Sequence, residues 1–100
     1  MSIVVQIPTA LRRHTAGQAK VVVPAANNLP ELLDFLGGTF PDLKPHLRDE
    51  SGQVRRFLNF YVNDEDIRFL GNSTYRFQDG DEVMIIPSIA GGSRAGDPWA

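Results

Sequence analysis

Helical periodicity is confined to one short stretch of this chain, and most of what surrounds it is patterned for strands. Leu29, Leu32, Leu33 and Leu36 occupy the i, i+3, i+4, i+7 positions of a single helical face. Asn28 is a suitable N-cap, Pro30 sits in the first turn, and Glu31 lies three residues beyond the cap, the spacing of a capping box. Gly37-Gly38 follows the last leucine, and glycine accepts the left-handed backbone that ends helices, so the helix is expected to stop there. One such helix cannot bury its own apolar face. It needs a sheet to lie on.

The strands are legible from alternation. Residues 1–7 put Ile3, Val5 and Ile7 on one face, and Pro8, which has no N–H for a ladder, closes the strand. After a loop over 9–18, residues 19–23 form a second strand with Ala19, Val21 and Val23 inward, making a hairpin with the first. Residues 40–52 hold two prolines and a polar run, and read as a short helical turn plus loop. A third strand is expected over 54–63 with Leu58, Phe60 and Val62 inward, then a turn over 63–66 and a short strand over 67–70. Asp79-Gly80 is a turn, and the last strand, 82–87, has Val83 and Ile85 inward. The order β-β-α-β-β-β predicts an α+β roll, the β-grasp or ubiquitin-like arrangement. A right-handed crossover then sets the third or last strand parallel to the first in mid-sheet. Residues 1–92 are one domain. Residues 93–100, small, polar and without periodicity, are expected to be a disordered extension.

Several function classes fall away. A net charge of −2 gives no nucleic-acid surface, and no apolar run is long enough to span a membrane, so the cytoplasm is the expected location. Without cysteine there is no thiol catalysis, and sulfur chemistry would need sulfur from elsewhere. The two histidines, His14 and His46, fall in expected loops without a third ligand at metal spacing. Asp64-Glu65-Asp66 lacks the glycine and distal glutamate of a calcium loop. No serine or threonine has a recognisable base partner, so the chain does not read as an enzyme.

Two features remain. Phe57, Tyr61, Met84 and Ile86 point outward from the last two long strands, an apolar row of the kind that marks a partner contact unless the segment 40–52 covers it. The last strand then runs into Ile89-Ala90-Gly91-Gly92. A diglycine has no side chains to obstruct a narrow channel, and could bring a terminal carboxylate up to a nucleotide. Activated as a mixed anhydride, that carboxylate could accept sulfur or an amine. Other proteins would have to catalyse either step.

The block Phe57-Leu58-Asn59-Phe60-Tyr61-Val62-Asn63-Asp64-Glu65-Asp66-Ile67-Arg68-Phe69, with Asp79-Gly80-Asp81-Glu82-Val83 and Pro87-Ser88-Ile89-Ala90-Gly91-Gly92, resembles the MoaD/ThiS family of ubiquitin-like sulfur carriers, in particular its branch serving bacterial cysteine synthesis. The opening Ile7-Pro8-Thr9-Ala10-Leu11-Arg12 and His14-Thr15 resemble that branch too. The resemblance implies that Gly92, at the end of Gly91-Gly92, is adenylated by an E1-like activating enzyme of the MoeB/ThiF type and converted to a thiocarboxylate. Phe57, Tyr61, Met84, Ile86, Ile89 and Ala90 would meet the partner. It implies a PLP-dependent cysteine synthase as sulfur acceptor, with molybdopterin, thiamine or thio-natural-product assembly as sibling routes and protein modification as the alternative. ATP, zinc and PLP would belong to the partners, and the carrier would be a monomer. Here Ser93 to Ala100 follow Gly92, so its carboxyl is an amide and must first be freed; a JAMM-type metalloprotease is the expected agent. Residues foreign to the natural chain, or a carrier without activity, are the alternatives.

Overall fold

The leucine face builds its helix where the pattern places it. α1 spans Leu29–Thr39, and its four leucines are buried. The Asn28 side chain accepts from the Glu31 amide at 3.1 Å while Glu31 accepts from the Asn27 amide at 2.9 Å. The computed structural model describes residues 2–87. The strands are β1 (Ile3–Gln6), β2 (Lys20–Val23), β3 (Leu58–Val62), β4 (Glu65–Asp66) and β5 (Glu82–Pro87), in the sheet order β2-β1-β5-β3-β4. β5 is parallel to β1 and antiparallel to β3, and the β1–β2 and β3–β4 pairs are antiparallel. This is the β-grasp expected from the element order, and of the two candidates the last strand takes the central place.

Register explains the core. Val5 lies opposite both Val21 and Val83, and Phe60 opposite Ile85, so one face of every long strand turns toward α1. A short second helix, α2 (Lys44–Leu47), adds Leu47, with Leu43 just before it, to the same core.

Five local expectations are corrected. α1 does not stop at Gly37-Gly38: neither glycine has a positive φ, and the helix continues to Thr39, with the Phe40 amide donating to the Leu36 carbonyl. Gly37 is buried because α2 comes close; a Cβ there would lie 3.2 Å from Lys44 Cγ. Ala19 is exposed rather than inward, since the ladder ends at Gln6–Lys20 and Ala19 contributes only its carbonyl, to the Ile7 amide. The long third strand is shorter than its pattern: Val54 makes a single bridge with Arg48, and the Arg55 amide donates to the Leu47 carbonyl before the chain turns into Leu58. The turn expected over 63–66 is only Asn63-Asp64, both at positive φ, so β4 begins at Glu65. The strand expected over 67–70 is a 3₁₀ turn, Ile67–Phe69, capped by the Asp66 carboxylate. The loop over 9–18 likewise contains a 3₁₀ turn, Thr9–His14, which buries Leu11.

The end of the sheet where β5 begins is fixed by polar groups. Asp81 is buried and accepts from the Tyr75 hydroxyl, the Gln78 amide and Asn63 Nδ2 at 2.8, 2.8 and 2.9 Å. Asn63 Oδ1 in turn accepts from the Glu82 amide. Burial, and then the bond to Asp81, raise the Tyr75 pKa above its ordinary value.

Candidate functional site

The candidate site is the outer face of the sheet and the end from which the chain continues past Pro87. On that face Met84 lies between Gln6 of β1 and Tyr61 of β3, and Ile86 lies opposite Asn59. Alternation dictates this, because Val83 and Ile85 are committed to the core. Tyr61, Met84 and Ile86 are half-buried, and Phe57, one residue before β3, is 38% exposed. The segment 40–52 does not cover the row; its Leu43 and Leu47 belong to the core on the helix side. Four of the expected partner residues thus share one region. Ile89, Ala90, Gly91 and Gly92 lie outside the described residues, as does the extension 93–100.

The face is wider than expected. Val22 of β2, opposite Val4, is 61% exposed and continues it toward the other edge. The same alternation that turned Val21 and Val23 inward would have found it. Phe69 is 80% exposed, the most exposed large apolar side chain among the described residues, and no sequence signal marks it because a strand is expected there.

Charge is unevenly placed at the two ends of the sheet. At the end where β5 begins stand Asp64, Glu65, Asp79, Asp81 and Glu82. At the other end, Arg12 lines an open groove with Pro8, Thr9, Met84 and Pro87, its Nε donating to the Ile7 carbonyl at 3.0 Å. The His14 and His46 rings stack with centroids 4.1 Å apart, tying the 3₁₀ turn to α2. Partial burial first, then His14, Arg13 and Arg55, lower the His46 pKa from its ordinary 6.5. Among the described residues no three potential metal ligands come together. Asp66 is occupied by Arg68, which pairs with it at 2.6 Å.

The histidine stack gives a pH dependence. A base whose folded pKa is depressed binds protons more readily when unfolded, so its contribution to stability is complete above about 6.5 and is lost as pH falls through that value. The Tm is therefore expected to drop between pH 7.5 and 5.5, and His46→Gln to flatten that slope. Asp49 and Asp66, whose pKa values are lowered by hydrogen bonds to Ser51 and Arg68, act only at lower pH. An equal slope in the variant would show that the lowered His46 pKa contributes nothing to stability.

The sequence profile of the ThiS family matches residues 5–92, nearly the whole chain and including Gly91 and Gly92. The chain belongs to the ThiS family. The sulfur carrier protein CysO of Mycobacterium tuberculosis (strain H37Rv) is 43% identical over 94 residues, covering 92% of this chain and all of that protein. A crystal structure of the Amycolatopsis orientalis BexX/CysO complex contains a chain similar to this one at TM-score 0.77 and 39% identity, covering 90% and 99% of the two chains. The small archaeal modifier protein 1 of Methanosarcina acetivorans matches at TM-score 0.77 and 25% identity, covering 91% and 96%. No helix among the described residues is long and apolar enough to cross a membrane.

Proposed function

We propose that this ThiS-family chain is a sulfur carrier that works through a C-terminal Gly92. The observation that carries the reading is the match to a sulfur carrier protein along that protein's whole length, in a chain whose sequence places a diglycine shortly after its central strand. In the proposed sequence a JAMM-type metalloprotease hydrolyses the Gly92–Ser93 bond and frees the carboxylate. That carboxylate attacks the α-phosphorus of ATP on an E1-like activating enzyme and displaces pyrophosphate. Sulfide then attacks the acyl carbon, displaces AMP and leaves the thiocarboxylate. The sulfur passes to an acceptor, for which a PLP-dependent cysteine synthase is the first candidate and molybdopterin, thiamine or thio-natural-product enzymes are the others. ATP, zinc and PLP are assigned to these partners. The chain supplies the docking face, formed by Phe57, Tyr61, Met84 and Ile86 with Ile89 and Ala90, and the reacting group.

The test is an intact mass. The chain ending at Gly92, incubated with the activating enzyme, ATP and a sulfur donor, is expected to gain the mass of one oxygen-to-sulfur exchange at its C-terminus. No gain rules the carrier out. Likeness to a small archaeal modifier protein favours a second reading, attachment to lysines of other proteins. Isopeptide-linked Gly92 remnants in digests of cellular protein would support that reading, and a carrier alone leaves none.

A further inference from the structure

Around the root of the C-terminal segment the fold gathers cations from two separate stretches of sequence. The parallel pairing of β1 with β5 brings the 3₁₀ turn after β1, with Arg12 and Arg13, beside the end of β5 at Pro87. The antiparallel pairing of β3 with β5 sets Leu58 opposite Pro87, so Arg55 and Arg56 precede β3 at the same end. None of these four arginines forms an ion pair among the described residues, whereas Arg48 and Arg68 pair with Asp34 and Asp66. Asp49 and Glu50 lie beside Arg55, and the Asp49 carboxylate is held by Ser51 and the Gln53 amide. The uncompensated charge therefore rests on Arg12, Arg13 and Arg56. It stands out in a chain whose net charge is −2 and whose other sheet end is acidic.

A folded chain gains nothing from like charges held together without partners, since their repulsion opposes the compact state. We infer that this basic collar is a docking surface for an acidic rim around the cleft of the activating enzyme that receives the C-terminal segment, an inference that rests on the carrier reading above. The collar meets that rim while the apolar row on the outer sheet face makes the closer contact. The acidic opposite end is repelled by the same rim, so the molecule approaches segment first. The carboxylate that must enter the cleft is itself negative, and an acidic entrance would turn it away if the collar did not offset it. Charges of this kind act on encounter and orientation more than on the bound state, and salt screens them.

The test uses the chain ending at Gly92, which keeps the whole described core, with its activating enzyme in ATP–pyrophosphate exchange. Arg13 and Arg56 are exposed and have no hydrogen-bond or ion-pair role among the described residues, so Arg13→Glu and Arg56→Glu should fold normally, as unchanged Tm values would verify. Arg76→Glu, nearer the acidic end, makes the same change in net charge and serves as the control. Each collar reversal is expected to raise KM about fivefold with kcat nearly constant, and the effect to shrink when NaCl is raised from about 50 to about 500 mM. Arg76→Glu should stay within about twofold of the unaltered chain. Collar reversals no worse than Arg76→Glu, or an effect that high salt leaves intact, would overturn the collar while the carrier stands. No exchange with the unaltered chain would overturn both.

Discussion

Asp81→Ala is expected to lower the unfolding free energy by about 3 kcal/mol and the Tm by about 15 °C, larger than any surface change in this chain. The side chain is buried and accepts three hydrogen bonds, so removing it strands the Tyr75 hydroxyl, Asn63 Nδ2 and the Gln78 amide together. Asparagine is not a rescue, because its amide nitrogen would face a donor. Tyr75→Phe removes one of the three bonds and should cost about 1 kcal/mol. The double variant should then cost less than the sum of the singles, because Asp81→Ala has already removed the shared bond. Urea denaturation measures all three. A loss below about 1 kcal/mol for Asp81→Ala would mean that water replaces the carboxylate at no great cost.

Met84→Asp is expected to do the opposite: leave the fold nearly intact and remove the partner. Met84 sits in mid-row between Gln6 and Tyr61 on the outer face, half-buried in the free molecule. A carboxylate there stays hydrated until a partner covers it, so the expected stability loss is no more than about 1 kcal/mol. In the complex it would be desolvated at the centre of the contact. Loss of a central anchor of this kind costs about 3 kcal/mol or more, roughly a hundredfold in affinity. KM for the activating enzyme, or a Kd by calorimetry, reads it. Ile85→Ala, one residue along, is the complementary control: it should cost about 3 kcal/mol of stability and, once folded, dock normally. Equal docking by Met84→Asp and the unaltered chain would place the partner surface elsewhere.

What the sequence disclosed, and what it hid, follow from whether a signal is local. The capping box at Asn28 and Glu31, the leucine face of α1, and the inward sets of β1, β3 and β5 depend on neighbours a few residues away, and all were readable. Gly37 was misread because its reason is not local: Lys44 packs where a side chain would be, and that contact is invisible before α2 is placed. Ile67 to Leu70 look like a strand by composition, but Asp66 caps the segment and turns it. The outer row was legible through the same alternation that reveals the core. The collar was not: Arg12-Arg13 and Arg55-Arg56 stand far apart in sequence, and only the pairing of β1 and β3 on either side of β5 brings them to one end.

The central position of β5 also ties the proposed docking face to completion of the fold. Its inward residues complete the core, its outward residues form part of the proposed face, and its last residue begins the path to the diglycine. Because it lies between β1 and β3, the sheet cannot close until the chain through Pro87 is in place. A misfolded copy would carry the glycines yet lack the proposed docking face. Placement of one strand thus couples the proposed docking face to closure of the sheet, and a copy with an open sheet is expected not to dock.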